Sequence, residues 1–388
     1  YPVSLLFRID PLAALADLLA PGPFRWQLLW PALVVLLLTA VFGRFFCGWI
    51  CPLGTTLDGC GKLTGRGHRA FSPGLRRIKY YLLIVLGVAT LCGVQLLGLF
   101  DPLAVFLRSL TLSFYPAYNL GLNSLFDFFY QHQVPLLSPL VNSSYPLFRD
   151  NLMAFYQPVF SLGLFTLLVF LVILVLEKVE QRFWCKNLCP LGALLGICSR
   201  YALVQRSPKS LCANCQSCDS LCRYGAVRDG RHRRSECLLC MDCTGFCPEE
   251  RVRFTLRVPA GKDPGVDLQR RGVLTAMASG LLLAPAVSIG PVTREQNPYL
   301  LRPPGAVDEP EFLQRCVRCA ECMKVCIGRA LHPALLDAGP VGLWTPLVVP
   351  RIGYCEYNCT LCGQVCPTGA IERLDLPRKQ KTVIGLAV

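Results

Sequence analysis

CANCQSCDSLC (residues 212–222) and CLLCMDCTGFCP (residues 237–248) decide the fold of this chain. Each segment has three cysteines separated by two residues, and a fourth cysteine after three more residues. The pattern returns as CVRCAECMKVC (residues 316–326) and CEYNCTLCGQVCP (residues 355–367), the last with one extra residue between its first two cysteines. In a chain of 388 residues with 23 cysteines, such short and regular spacing predicts metal ligands and not a disulfide framework.

The spacing is typical of domains that hold two 4Fe–4S clusters. Three close thiolates wrap one corner of a cubane, and the fourth cysteine of each run binds the other cluster. We therefore expect four clusters. Their predicted ligands are Cys212, Cys215, Cys218 and Cys247 for the first, Cys237, Cys240, Cys243 and Cys222 for the second, Cys316, Cys319, Cys322 and Cys366 for the third, and Cys355, Cys359, Cys362 and Cys326 for the fourth. Zinc is the alternative for any cysteine cluster, but structural zinc sites usually use separated Cys-x2-Cys pairs.

An internal repeat precedes these segments. RFFCGWICPLG (residues 44–54) matches RFWCKNLCPLG (residues 182–192), the match extends to Cys60 and Cys198, and DPLA at 10–13 recurs at 101–104. Because cysteines at i and i+4 share one face of a helix, the two Cys-x3-Cys-Pro motifs could together supply four thiolates to a fifth 4Fe–4S cluster. These thiolates are Cys47, Cys51, Cys185 and Cys189. The alternative is packing of helix ends, with the thiols free or redox-active.

The composition predicts that part of the chain lies in lipid. Hydrophobic residues make up 53% of the chain and charged residues 16%, and uncharged runs long enough to cross a membrane cover residues 26–43, 80–100, 151–176 and 272–293. Lys and Arg residues follow the first and third runs, which predicts that these segments face the cytoplasm. The net charge is +14. The Lys and Arg residues that carry it lie beside apolar runs, which argues against a nucleic-acid partner. We expect a multi-pass protein of the bacterial inner membrane, with one further span before residue 1.

The predicted fold class is a membrane α-helical bundle with two Cys-x3-Cys-Pro repeats, joined to two bacterial-type α+β ferredoxin domains. The bundle is expected over residues 1–207 and the first ferredoxin domain, on the cytoplasmic side, over 208–258. Arg270 and Arg271 precede an apolar run and resemble a twin-arginine export signal. Residues 270–294 are therefore predicted to span the membrane, which would put the second ferredoxin domain, residues 301–388, in the periplasm.

Two known families share these motifs. Residues 1–255, through their two Cys-x3-Cys-Pro motifs and the first ferredoxin domain, resemble the NapH-type membrane ferredoxins and the related NosR family. From residue 270 onward, the twin arginines, LRPPGA (residues 301–306) and FLQRCVRC (residues 312–319) resemble the NapG-type periplasmic ferredoxins. The chain thus resembles a fusion of the two types. The resemblance implies a quinol dehydrogenase that passes electrons from the quinone pool to a periplasmic reductase or cytochrome, within a larger membrane complex.

The residues themselves predict an electron carrier and leave its enzymatic role open. The first hypothesis is a quinol-linked subunit that hands electrons to a periplasmic redox partner. The second is a non-enzymatic wire or maturation factor that joins cytoplasmic donors to a periplasmic cytochrome or metalloenzyme without quinone. A redox sensor or cluster donor is a third hypothesis, and no sequence feature favours it. No catalytic residue can be named from the sequence.

Overall fold

The computed structural model describes residues 5–20, 25–64, 74–132, 138–151, 153, 154, 156–208, 218, 222–228, 231–245, 247, 252–258, 268–288 and 300–383. Two of the predicted ligands, Cys212 and Cys215, lie outside these residues.

The first half of the chain is a set of packed helices. They are α1 (Leu5–Arg8), α2 (Pro11–Leu19), α3 (Trp26–Phe42), α4 (Pro52–Thr64), α5 (Ile78–Leu91), α6 (Leu97–Phe100), α7 (Pro102–Ser109), α8 (Tyr115–His132), α9 (Ser138–Asn151), α10 (Gly163–Leu176) and α11 (Pro190–Cys198). Single π-helical turns cover Phe46–Ile50 and Trp184–Leu188, so the two Cys-x3-Cys-Pro motifs adopt the same local structure. Apolar side chains from both halves of the repeat, including Leu53 and Leu191, meet in one buried core.

The second half contains short antiparallel ribbons and short helices. Strand β1 (Val204–Pro208) pairs with β4 (Val252–Leu256), β2 (Val227–Arg228) with β3 (Arg231–His232), and β5 (Leu331–Pro333) with β6 (Pro346–Val348). The helices are α12 (Asp242–Gly245), α13 (Arg270–Ser288), α14 (Glu309–Arg315), α15 (Glu321–Lys324), α16 (Leu361–Val365) and α17 (Leu376–Gln380). Helix α13 packs along α5. The predicted domain boundaries remain predictions.

The predicted membrane bundle is wrong. Among the described residues, no helix is sufficiently long and apolar to cross a membrane. Helices α5 and α10 have 14 residues each and extend only about 21 Å, whereas a hydrocarbon core is about 30 Å thick. The run 80–100 is interrupted at Gly93, whose φ is 92°, and within the run 151–176 helix α10 covers only Gly163–Leu176. The predicted multi-pass location in the inner membrane, with ferredoxin domains on opposite faces, is corrected by the same finding.

Residues 300–383 pack directly on the first helices. A Cβ atom on Gly98 of α6 would overlap the carbonyl oxygen of Val317, so the two backbones are in contact. The Trp344 Nε1 donates a hydrogen bond of 3.0 Å to Thr166 Oγ1 of α10. The loop that contains Val317 is therefore held against the end of α6.

Candidate iron–sulfur centres

The third and fourth predicted ligand sets each line a cavity. Cys316, Cys319, Cys322 and Cys366 lie in the wall of one cavity. The other set lines a second cavity and consists of Cys326, Cys355, Cys359 and Cys362. In both cavities the last cysteine of one run joins the first three of the other run. The chain thus brings each predicted set of four thiols together.

The cysteines surround these cavities and do not meet at a point. Within the described residues, no set of three or more His, Cys, Asp or Glu side chains is arranged to hold a metal ion. A cubane interposes its irons and sulfides between its cysteines, so its ligands line a space, whereas the thiolates of one zinc ion all lie about 2.3 Å from the metal. The chemistry of each donor set, four cysteine thiols, fits a cubane.

The loops at residues 237–243 and 316–322 share an uncommon backbone. Arg318 and Ala320 have φ values of 57° and 63°, and Leu239 and Met241, at the equivalent positions, have 51° and 60°. Residues other than glycine rarely adopt a positive φ, which costs about 1–3 kcal/mol each, and the strain persists where the surrounding structure requires it. The turn directs backbone N–H groups toward the thiols, as from Arg318 to Cys316. Such converging N–H groups form a cradle for an anionic group.

The second predicted set is also brought together. Burial raises the pKa of Cys237 to about 12, and the nearby Cys222, Cys240 and Cys243 add to this effect. The Cys222 Sγ accepts a hydrogen bond of 3.3 Å from the backbone N–H of Ala226. Cys218 and Cys247 of the first set are half-buried, and the other two members of that set lie outside the described residues.

The four cysteines of the Cys-x3-Cys-Pro motifs lie in one buried core. Burial raises the pKa of Cys185 to about 11, and it raises the pKa values of Cys51 and Cys189 with contributions from the neighbouring thiols. The Cys47 thiol contributes to the raised pKa of each of these three cysteines. The exposed fractions of the four side chains are between 3% and 8%. Thiols from motifs far apart in sequence are therefore neighbours, away from solvent.

Two arginines cross between the repeats. A Cβ atom on Gly54 would lie 2.8 Å from Arg182 Nη1, and a Cβ atom on Gly192 would lie 2.8 Å from Arg44 Nη2. Each guanidinium therefore fills the space beside the glycine of the other motif. Because both arginines are buried, with 1% and 3% exposure, they place two positive charges beside the four thiols.

A buried ionic network ties the segment before Cys237 to the helices. The Glu236 carboxylate accepts hydrogen bonds from Lys79 Nζ at 2.6 Å, Arg44 Nη1 at 3.2 Å and the Tyr80 hydroxyl at 3.1 Å. Burial favours the neutral acid, but the nearby Lys79 and Arg44 charges lower the pKa of Glu236 below its usual value. The network links Arg44 of the first repeat to the loop of the second predicted cluster.

Sequence reasoning missed the roles of several buried charged residues. Arg44 and Arg182 stand at the same position of the repeated motif, and Asp10 and Asp101 both begin a repeated Asp-Pro-Leu-Ala segment. Repetition of a charged residue within an apolar context was the available signal. This repetition does not predict the partners of the charged residues, because a pattern within one segment does not show which distant segment the charge will contact.

Comparison with known proteins agrees with the cysteine cavities and loops. The chain is similar to ferredoxin-type 4Fe–4S electron transport proteins. The family described as "4Fe-4S binding domain" matches residues 24–70 and 162–209, and each matched segment contains one Cys-x3-Cys-Pro motif.

Several ferredoxin-type proteins are similar to parts of this chain, among them NapG- and NapH-type proteins. The chain is 43% identical over 91 residues to the methylamine utilization ferredoxin-type protein MauM of Methylorubrum extorquens, which covers 23% of this chain and 40% of MauM. It is 36% identical over 113 residues to the ferredoxin-type protein NapG of Escherichia coli, which covers 28% and 48%. The ferredoxin-type protein NapH of Haemophilus influenzae is 24% identical over 262 residues, or 64% of this chain and 75% of NapH. The chain spans less than half the length of MauM and NapG. No solved structure is significantly similar to it.

Proposed function

We propose that this chain passes electrons between a quinol and a partner redox protein through four 4Fe–4S clusters on its sixteen ferredoxin-type cysteines, and through a fifth at its Cys-x3-Cys-Pro motifs. The observation that carries the proposal is the pair of cavities lined by Cys316, Cys319, Cys322 and Cys366 and by Cys326, Cys355, Cys359 and Cys362. When bound, a 4Fe–4S cluster supplies a site that takes up and releases one electron.

The fifth site is supported by three observations. Cys47, Cys51, Cys185 and Cys189 are buried together, the buried arginines of the two repeats flank them, and the family matched over both motifs is described as binding 4Fe–4S. Buried positive charge offsets the negative charge of four thiolates. Under the alternative, with simple packing of helix ends, Glu236 and Asp58 would be the anionic partners of the two arginines.

Access for a small electron donor is supported by a larger cavity beside the third ligand set. It is open to solvent, and its wall includes Arg8, Arg25, Trp26 and Gln27 from the helices and Cys366 from the predicted third cluster. An aromatic ring and hydrogen-bond donors suit a quinol head group. This arrangement favours the quinol-linked role over a wire or maturation factor that never contacts quinone.

Assembly into a larger electron-transfer complex is supported by an apolar stripe on α10. Leu164, Leu168, Val172 and Val175 lie on one face of this helix and are 71%, 53%, 59% and 58% exposed. Contiguous exposed apolar side chains are typical of interaction surfaces. The NapH and NapG likenesses support a chain that joins both types, and a partner redox protein, such as a cytochrome or reductase subunit, would receive the electrons.

The test is iron quantification of the purified protein, followed by a redox titration monitored by EPR with and without a reduced quinol analogue. We expect about twenty irons, from five clusters of four irons each, and reduction of the clusters by the quinol. A count of about sixteen irons would contradict the fifth cluster and leave the other four in place. A full complement of clusters that does not respond to quinol would support the wire or maturation role.

A further inference from the structure

The two Asp-Pro-Leu-Ala segments meet through their aspartates. Asp10 begins α2 and Asp101 begins α7, where their carboxylates accept hydrogen bonds of 2.9 Å from the backbone N–H groups of Leu12 and Ala104. The aspartate side chains are 0% and 3% exposed. Each carboxyl group affects the pKa of the other, so the two lie close together in the buried core.

Two adjacent buried carboxyl groups cannot both be ionised, because like charges repel strongly away from water. The Oδ2 atom of Asp10 is buried and has no donor among the described residues. A hydrogen bond between the two carboxyl groups would therefore need a proton carried by one of them. Burial, together with the charge of Asp101, raises the pKa of Asp10 well above its usual value. Burial and mutual repulsion thus favour a pair with one protonated and one ionised carboxyl group.

The pair lies close to the third predicted cluster. Asp101 directly follows α6, and Gly98 of that helix contacts the carbonyl of Val317 in the loop between Cys316 and Cys319. From Gly98 to Asp101 is less than one helical turn, about 5 Å along the axis. A charge that appears in the cavity of Cys316, Cys319, Cys322 and Cys366 is therefore felt at the pair with little screening.

A buried arginine lies between them. Arg108 of α7 interacts with Asp101 and with Cys319, and its guanidinium stacks 3.9 Å above the centre of the Trp344 ring. Its Nε and Nη1 atoms have no acceptor among the described residues. Arg318 faces Arg108 from the cysteine loop. The charged groups around the pair are thus Arg108 next to Asp101, and Arg318 beyond it.

We propose that the Asp10–Asp101 pair is a redox-linked proton site, which binds a second proton from solvent when the cluster of Cys316, Cys319, Cys322 and Cys366 gains an electron. The inference rests on the proposed function, because it requires that cluster. The electron comes from a quinol in function, or from dithionite in a titration, and the proton neutralises the charge that the electron adds. Burial raises the pKa of Asp101 to about 6, against hydrogen bonds that lower it, so its carboxylate can take a proton near neutral pH.

The experiment measures the midpoint potential of this cluster by EPR between pH 5.5 and 8.5, in the full chain with its clusters. The cluster signal is assigned by its loss in Cys366→Ser. For the wild type, we expect the potential to fall by 59 mV per pH unit over part of this range, because each unit is a tenfold change in proton concentration. Asp101→Asn removes the dependence, and asparagine keeps the helix cap.

Two further variants separate a proton site from a structural cap. In Asp10→Asn the amide donates a hydrogen bond to Asp101 and stabilises its carboxylate. The pH range in which the midpoint potential depends on pH therefore moves to lower pH. Asp375→Asn is the matched control, because Asp375 also precedes a helix but is exposed, and it leaves the wild-type dependence unchanged. In the wild type, redox-difference infrared spectra gain a protonated carboxyl band on reduction, a readout that needs no variant.

The outcomes are distinct. A potential that does not vary with pH in the wild type, or a slope that survives in Asp101→Asn, overturns the proton site while the clusters stand. An absence of iron at the third site overturns the proposed function instead. If the variants fail to fold, the wild-type infrared band decides, since its absence on reduction contradicts the proposal.

Discussion

Arg182 Nη1 donates a hydrogen bond of 2.8 Å to the carbonyl oxygen of Cys47. The second repeat thereby holds the cysteine turn of the first repeat, and Arg44 reaches back toward Gly192 of the second. The same guanidinium of Arg182 binds both oxygens of Asp58, at 2.9 and 2.7 Å. The two Cys-x3-Cys-Pro motifs are therefore one structural unit, and disturbing either arginine should affect both.

Arg182→Gln is expected to lower the free energy of unfolding by about 3 kcal/mol. The substitution leaves Asp58 without its cation and Cys47 without its donor, and breaking a buried ion pair typically costs about 3–5 kcal/mol, less here because Asp58 is 29% exposed. Chemical denaturation measures the effect. Arg253→Gln, on an exposed position of β4, is the control and should change stability by less than about 0.5 kcal/mol. Equal effects of the two substitutions would show that the Arg182 contacts contribute nothing specific.

Gly54→Ala is expected to destabilise the protein by about 1–2 kcal/mol and to reduce iron at the Cys-x3-Cys-Pro site. The new methyl group would displace the Arg182 guanidinium, and overpacking of a filled core typically costs about 1–3 kcal/mol. Gly59→Ala, in the same helix α4, is the control because no atom lies within 4 Å of its Cβ position. The control should gain about 0.5–1 kcal/mol from the better helix propensity of alanine. Thermal unfolding and iron quantification measure the two effects. Equal stability and equal iron content in the two variants would contradict the prediction.

Cys366→Ser and Cys326→Ser test the crossed arrangement of ligands. Cys366 shares a cavity with Cys316, although it lies in the other run, so its loss should remove the third cluster and about four irons. Cys326→Ser should remove the fourth cluster instead. EPR spectra and iron counts distinguish the two losses. Cys92→Ser changes an exposed cysteine and should leave all signals intact. If each variant lost the cluster of its own run, the crossing would be refuted.

The stability of the wild type should fall as the pH rises through 6, relative to Asp101→Asn. Burial raises the pKa of Asp101 from the ordinary 3.8 to about 6, so the folded state binds more protons between these values. This contribution to stability is therefore complete below pH 3.8 and is lost as the pH rises through 6. Between pH 5.5 and 7.5, the difference in unfolding free energy between the two proteins should change by about 1 kcal/mol. Denaturant titrations at both pH values measure it, and a constant difference would contradict the shifted pKa.

Tertiary contacts decided where the long apolar runs break. The runs at 80–100 and 151–176 contain enough apolar residues for a membrane helix, and sequence reasoning predicted one from each. In the structure, Gly93 adopts a positive φ and α6 begins anew at Leu97, where its backbone meets Val317. Helix propensity and hydropathy are sums over local residues, so they do not report a contact with a loop that follows much later in the chain.

The amino-acid sequence by itself determined the local features of this protein: the cysteine spacing, the internal repeat and the helix starts at Asp10 and Asp101. Each of these depends on residues a few positions apart, where bond geometry and single hydrogen bonds act. Only the tertiary structure decided that Asp10 meets Asp101, that Arg182 reaches Cys47, and that the loop at Val317 lies on α6. These partners are distant in sequence, and their meeting depends on how the helices bury one another, because burial is a property of the whole packed core.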